Sequence, residues 1–247
     1  MSIKTSKKVL VTGATSGIGR AVCRKMSSDG HKVLALGRNE TALSELQASG
    51  NVTPLALDVT DRDGLESALQ GEAIDVLVNN AGIMPPVVAF QDMDQVDIDA
   101  TLEVNLSAAI ALTRLVLPGM VGRGSGHLFF TSSTSAHAAF PNMAVYGASK
   151  AALSAFAASL RCDLAGTGIR VTEIVAGRVE TDLYRGVLDA AARRKMYSTS
   201  RAVQPQDAAD MLSAVLQMPE HVDVTRFDIL PTDQYVGGGA MVERKAR

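Results

Sequence analysis

The sequence predicts an α/β fold, one domain built on a doubly wound parallel sheet with helices on both faces. Two observations carry this. Short apolar runs, rich in β-branched and aliphatic residues, alternate with helix-like segments along nearly the whole chain of 247 residues. The composition is 47% hydrophobic with 21 Gly, only 4% aromatic residues and no Trp, which suits close packing of helices on a parallel sheet. No linker, repeat or low-complexity stretch divides the chain, so residues 1–247 read as one domain.

The elements follow in order. Val9–Thr12 is a short strand that enters a glycine-rich turn, and Ile18–Asp29 has helical spacing that stops at Gly30. Lys32–Leu36 is a second strand. Asn39–Ser49 is a helix with Leu43 and Leu46 inside and Glu40 and Glu45 outside. Leu55–Leu57 is a third strand, followed by a helix over Arg62–Leu69. Asp75–Val78 is a fourth strand and ends at Asn79-Asn80-Ala81-Gly82. A long helix spans Asp97–Leu117 and should stop at Pro118-Gly119. His127–Thr131, the helix Val145–Leu164, Arg170–Val175, the helix Ala208–Gln217 and Arg226–Leu230 complete the pattern. Residues 177–200 are the least regular stretch and follow a strand, so they read as a lid over a ligand site.

Charge and cysteine usage exclude several classes. With 24 Lys and Arg against 26 Asp and Glu the net charge is −2, which offers no broad basic surface for nucleic acid. Cys23 and Cys162 fall in helical segments without a CxxC spacing, and read as buried or semi-buried thiols in a reducing compartment. The histidines have no metal-ligand spacing, so no metal is expected. Met1–Lys8 is polar and basic with no apolar core, unlike a signal peptide. No run of 18 or more apolar residues suggests a membrane span. The expectation is a cytoplasmic protein.

In an open α/β sheet, ligands bind beyond the carboxyl ends of the strands. Thr12-Gly13-Ala14-Thr15-Ser16-Gly17-Ile18-Gly19 lies there, between the first strand and the first helix. Its glycines let backbone amides approach a pyrophosphate, and the helix offers its positive end. The spacing is Gly-x-x-x-Gly-x-Gly rather than the standard fingerprint. A plain tight turn is the alternative, and the position favours a nucleotide. The second strand ends in Gly37-Arg38, with no acidic residue to hold a ribose 2′-hydroxyl. Arg38 is suited to the 2′-phosphate of NADP, or is a surface arginine. Asp58 after the third strand would accept from the adenine amino group, or cap the next helix.

These residues together with Asn79–Gly82, Asn105, Ser133 and Tyr146-x-x-x-Lys150 resemble the short-chain dehydrogenase/reductases, in order and spacing, from the first strand to the last. The resemblance implies a Rossmann-like fold, NADP(H) as cofactor and hydride transfer at a hydroxyl or carbonyl carbon. Tyr146 and Lys150, four apart on one helix face, would be the acid/base and its partner, with the ammonium and the positive nicotinamide of the oxidised complex together pulling the phenol down from its usual value near 10. Lys150 would also hold the nicotinamide ribose. Ser133 would orient the substrate oxygen. Asn105 resembles the family's helix-kinking asparagine and would anchor a water on a proton path through Lys150. Asn80, Ala81 and Gly82 would border the adenosine. Where the family commonly has Pro-Gly after the sixth strand this chain has Ala176-Gly177, a looser turn; Gly177, Val179 and Thr181 match cofactor-contacting positions. The resemblance also implies a homotetramer through the two long helices.

Gly30–Val33, Arg170–Ile174, Met218–Val222 and Leu230-Pro231 are similar to the 3-hydroxy acid and serine dehydrogenases of the family. That implies a small β-hydroxy acid or its semialdehyde as substrate. A carboxylate or sulfonate would want a guanidinium, and Arg178, then Arg185, are placed for it unless they are rim residues. His137 would line the pocket or pack its loop. A 3-ketoacyl thioester reductase or a broad ketone or sugar reductase would share the catalytic set, although acidic Asp92, Asp94, Asp97 and Asp99 disfavour an acidic carrier partner. A non-catalytic NADP(H)-binding sensor would be free to lose Ser133, Tyr146 and Lys150, which are present.

Overall fold

The computed structural model describes residues 6–198 and 202–234, apart from the side chains of Lys195 and Ser198. Parts of the expected N-terminal segment and lid (residues 1–5 and 199–200) lie outside the described residues.

Among the described residues, seven strands, β1 (Lys8–Thr12), β2 (Lys32–Gly37), β3 (Val52–Ala56), β4 (Val76–Asn79), β5 (Gly126–Ser133), β6 (Ile169–Ala176) and β7 (Arg226–Ile229), form one parallel sheet in the order β3-β2-β1-β4-β5-β6-β7. The chain winds outward from β1 to β3, returns to β4 beside β1, and winds outward again to β7. The switch point therefore falls between β1 and β4, where the ends of both strands open a crevice.

Successive residues of each strand serve opposite faces. Val9, Val11, Val78 and Phe129 pack under α1 (Gly17–Ser28) and α8 (Pro205–Leu216), against Val22, Met26, Leu212 and Val215. Leu10, Leu77, Leu128 and Phe130 pack on the other face, against Leu65 of α3 (Arg62–Leu69), Leu112 and Val116 of α5 (Ala108–Arg123) and Leu153 and Leu160 of α6 (Ala144–Asp163). Each such aliphatic side chain contributes about 1.5–3 kcal/mol on burial. The remaining helices are α2 (Glu40–Ala48), α4 (Gln95–Leu102) and α7 (Ala190–Ser198). Asn39 caps α2 by accepting from Ala42 N, and Asp61 caps α3 by accepting from Gly64 N.

Four expectations are corrected. β3 begins at Val52, because Val52 pairs with Val33 and is buried; Pro54 is tolerated because β3 is an edge strand. The long helix does not stop at Pro118. It runs from Gln95 to Arg123 with one π-helical turn at Glu103–Ser107, and ends at Gly124 with φ +64°. Buried Val116 and Met120 flank the proline, and their packing offsets the ~3 kcal/mol that an interior proline costs. The late helix starts at Pro205, which suits a first helical position, with Gln204 N donating to Asp207 Oδ2 at 2.8 Å. Residues 177–198 are not irregular: they hold a 3₁₀ turn (Asp182–Tyr184) and α7.

The helix Gln95–Arg123 is long and apolar enough to cross a membrane by length and composition, although no uninterrupted apolar run marks it in the sequence. Its inner residues Leu112, Val116 and Met120 belong to the core, as expected of a core helix. Cys23 is buried, whereas Cys162 is exposed rather than semi-buried, because it falls on the outer face of α6.

Candidate active site

The glycine turn is a cradle that side chains would fill. A Cβ at Gly19 would lie 2.2 Å from Gly13 O, and one at Gly13, where φ is +64°, 3.0 Å from Ala81 Cα. Gly37 leaves room for the Thr15 methyl, and Ala14 N donates to Leu36 O at 3.0 Å, which fixes the turn over the end of β2. Ser16 stands at the N-cap of α1, yet its side chain does not cap it, so the first amides of that helix remain open. Gly17 lies under the methyl of Thr181. Ile18 packs with Val179 and Val203, and those side chains wall the space beside the turn. These features fit a dinucleotide pyrophosphate.

The β4 end secures the cradle. Thr12 Oγ1 accepts from Asn80 N and Ala81 N, both at 2.9 Å, while Asn80 Nδ2 donates to Thr12 O at 3.0 Å. Asn79 Nδ2 reaches Thr113 Oγ1 at 3.0 Å. At the other end of the crevice, Arg38 has a side chain 76% exposed, and its polar partner among the described residues is Asp58, Nη1 to Oδ2 at 3.3 Å. It is therefore free to meet a phosphate. Asp58 does not cap α3, as Asp61 does that. Its Oδ1 instead accepts from Thr60 N and Oγ1 at 2.9 and 2.8 Å, and these bonds, helped by Arg38, hold the carboxyl below its usual range.

Ser133, Tyr146, Lys150 and Asn105 converge at the end of β5. The Ser133 hydroxyl lies beside the Tyr146 phenol, where it favours the phenolate, and accepts from Ser135 N at 3.1 Å. Lys150 Nζ donates to Thr131 O at 2.9 Å and sits 5.9 Å from the centre of the Tyr146 ring. Asn105 lies in the π-helical turn, which turns its amide toward the loop after β4. Its Oδ1 accepts from Ile83 N at 2.8 Å and its Nδ2 donates to Ile83 O at 3.0 Å and Ser149 Oγ at 3.2 Å. A side chain at Gly82 would lie 3.3 Å from Asn105 Oδ1 and 3.4 Å from Lys150 Nζ, so glycine keeps that space open.

Burial dominates the electrostatics. It pushes the Lys150 ammonium down to about 8. It pushes the Tyr146 phenol well above its usual value, with nearby Tyr184 adding to this and Ser133 opposing it. The lowering expected of Lys150 and the oxidised nicotinamide together is not reached by protein groups alone, among which desolvation dominates.

The segment after β6 differs from expectation in one respect. The missing proline does not leave the turn loose: Gly177 N donates to Ile229 O at 2.9 Å, and Gln234 Oε1 accepts from Arg178 N at 2.8 Å. Arg178 directs its guanidinium toward α7, donating to Met196 O at 3.1 Å, close to Tyr184 and Tyr197. Arg185 is exposed and is not brought to the catalytic group. His137 is engaged by buried Glu173, Nε2 to Oε1 at 3.0 Å, so it braces its loop against β6. Tyr184, which the buried Tyr146 phenol senses, is not marked by any motif in the sequence; its place three residues after Thr181 is the one local signal for it.

Comparison with known proteins agrees with this geometry. A family model described as short chain dehydrogenase matches residues 7–192. The chain is 47% identical over 233 residues to a short-chain type dehydrogenase/reductase of Sinorhizobium fredii, with 94% of each chain covered. It is 35% identical over 240 residues to the NADP-dependent 3-hydroxy acid dehydrogenase YdfG of Escherichia coli, covering 93% of this chain and 97% of that one. The closed form of a serine dehydrogenase complexed with NADP+ superposes with a TM-score of 0.90 at 34% identity, covering 96% of this chain and all (100%) of the other. The chain belongs to the short-chain dehydrogenase/reductase family. It is an oxidoreductase of the NADP-dependent kind, acting at hydroxyl groups.

Proposed function

We propose that the protein interconverts a small 3-hydroxy acid and its carbonyl counterpart, a semialdehyde or ketone. The observation that carries this reading is the buried Ser133–Tyr146–Lys150 group with a guanidinium, Arg178, held nearby beside Tyr184. The resemblance to enzymes named for 3-hydroxy acids and serine supports it.

NADP(H), when bound, supplies or accepts the hydride. Gly13 to Gly19 would hold its pyrophosphate, Arg38 its 2′-phosphate, Asp58 and Asn80–Gly82 its adenosine side, and Lys150, Gly177, Val179 and Thr181 its nicotinamide side. Ser133 orients the substrate oxygen by hydrogen bonding. Tyr146 takes the hydroxyl proton at its phenol oxygen during oxidation and returns it during reduction. Lys150 holds positive charge beside that oxygen, and Asn105 fixes the loop after β4 against α6. Arg178 pairs with the substrate carboxylate or sulfonate. Residues 177–200 act as the lid that carries Arg178 and Tyr184. Arg185 and His137 have no direct part in this scheme.

We further read the assembly as a homotetramer in the cytoplasm. Only 33% of the apolar window in Gln95–Arg123 is buried within the chain, and Val96, Leu102 and Val121 stand exposed at points along that helix, which leaves apolar surface for a second copy to cover.

Turnover is followed by nicotinamide absorbance with NADP+ and serine, allo-threonine, 3-hydroxypropanoate, 3-hydroxybutanoate and neutral alcohols, and in reverse with semialdehydes, ketones and a ketoacyl thioester. Turnover of the acids, lost in Tyr146→Phe and with KM raised at least tenfold in Arg178→Ala, is the expected result. Turnover confined to neutral or thioester substrates overturns the acid assignment, and an unchanged KM removes Arg178 from it.

A further inference from the structure

A cleft of about 910 Å³ opens on the outer side of the glycine turn, between α1, α7 and the start of α8. Gly17 and Thr181 form the partition between it and the cofactor crevice, for a Cβ on Gly17 would come within 3.0 Å of the Thr181 methyl. The two spaces therefore share a wall and little else: Gly13, Asn80 and Arg38 do not line the cleft.

Four guanidinium groups do. Arg20 and Arg24 stand about one turn apart on α1, and Arg193 and Arg194 are adjacent on α7. Two carboxylates, Glu180 and Asp182, also line it, so the local balance is positive in a chain whose net charge is −2. Glu180 already accepts from Gln204 Nε2 at 3.0 Å, and Arg20 is paired with Glu45. Arg24, Arg193 and Arg194 have no such partner among the described residues. The Nε–H groups of Arg20 and Arg193 are buried without an acceptor among the described residues. Gathering like charges with unspent donors is unfavourable unless something answers them.

We propose that this cleft binds a second ligand, a small phosphorylated molecule or other multivalent oxyanion, at the same time as NADP(H) occupies its own crevice. Planar guanidinium forks from two helices match phosphate oxygens in geometry as well as charge. The ligand bridges α1 to α7, and its phosphate groups stand between Arg24 and the Arg193–Arg194 pair. The site lies outside the group that handles the reacting carbon, so it has no step in the hydride transfer.

The test uses calorimetric titration of inorganic pyrophosphate into protein saturated with NADP+. One pyrophosphate per chain is expected, weakened at least tenfold in Arg24→Gln and again in Arg193→Gln, and weakened further as salt rises. Arg24 stands on α1, outside the lid, and its side chain makes no hydrogen bond among the described residues, so in Arg24→Gln NADP+ affinity and turnover without pyrophosphate should stay within twofold. Release of NADP+ by pyrophosphate overturns the proposal, because the anion would then be filling the cofactor's own phosphate position. So does the absence of binding, or binding indifferent to both substitutions. The readout needs no substrate, so it stands or falls independently of the hydroxy acid assignment.

Discussion

Replacing Lys150 by Met should make the cofactor-free protein more stable at neutral pH while abolishing turnover. Lys150 is buried, and burial lowers its ammonium from 10.5 to about 8. Each tenfold change in proton affinity is worth about 1.4 kcal/mol, so holding the ammonium in the fold costs roughly 3 kcal/mol at pH 7. The sign follows from proton counting. The unfolded chain keeps this proton up to pH 10.5, whereas the folded chain gives it up above about 8. Between these values the unfolded state binds more protons, and stability rises with pH. At pH 9.5 the remaining cost is roughly 1.4 kcal/mol. The substitution also strips Thr131 O of its 2.9 Å donor, which takes back about 1 kcal/mol. The Lys150→Met variant should therefore exceed the wild type by roughly 2 kcal/mol at pH 7 and nearly match it at pH 9.5. Urea unfolding followed by far-ultraviolet circular dichroism, without cofactor, measures both. A wild type as stable as the variant at pH 7, with the same pH slope, would refute the claim that this ammonium is desolvated.

Other outcomes follow from the same geometry. Arg38→Asp should raise KM for NADP+ by about 10- to 100-fold, the worth of a lost charge-assisted hydrogen bond, and shift preference toward NAD+; unchanged preference in steady-state kinetics removes Arg38 from the 2′-phosphate. Gly19→Ala places a carbon 2.2 Å from Gly13 O, so NADP+ binding measured by calorimetry should be lost or the protein destabilised by urea unfolding; wild-type behaviour in both would show that the cradle gives way easily. Tyr146→Phe should lower kcat by about 10²–10⁴ with NADP+ affinity retained, as a proton-transfer residue requires. The phenolate absorbance lost in that variant should appear in the wild type only well above pH 10 without cofactor, because burial raises the group; titration of Tyr146 near pH 8 in the cofactor-free chain contradicts this.

The parts legible in the sequence are those whose determinants sit close together along the chain. The glycine turn occupies eight consecutive residues, and Tyr146 and Lys150 are four apart on one helix, so spacing alone aligns them. Strands buried on both faces announce themselves as apolar runs. What stayed hidden depends on distant partners. Pro118 reads as a helix stop until Val116 and Met120 are seen in the core. Residues 190–198 carry no strong apolar stripe, yet form a helix whose Met196 carbonyl receives the Arg178 side chain. Ala176-Gly177 reads as a loose turn because the residue that tightens it, Gln234, lies 56 positions from Arg178.

The electrostatics of the site then assign a role to the cofactor beyond its redox chemistry. Protein groups alone leave Tyr146 protonated, since burial and Tyr184 outweigh the help that Ser133 gives the phenolate. They also leave Lys150 near the middle of its titration in mildly basic solution, so the cation that should assist Tyr146 is itself only weakly held. A further positive charge beside the ring lowers the phenol, and the oxidised nicotinamide carries one. It would also raise the cost of the Lys150 ammonium unless acceptor groups of the bound cofactor reached Nζ. A tyrosine kept neutral until the oxidised cofactor is in place cannot abstract protons idly. The buried setting that makes Tyr146 a poor base in isolation couples its basicity to the presence of the hydride acceptor, which is the condition under which taking a hydroxyl proton leads to product.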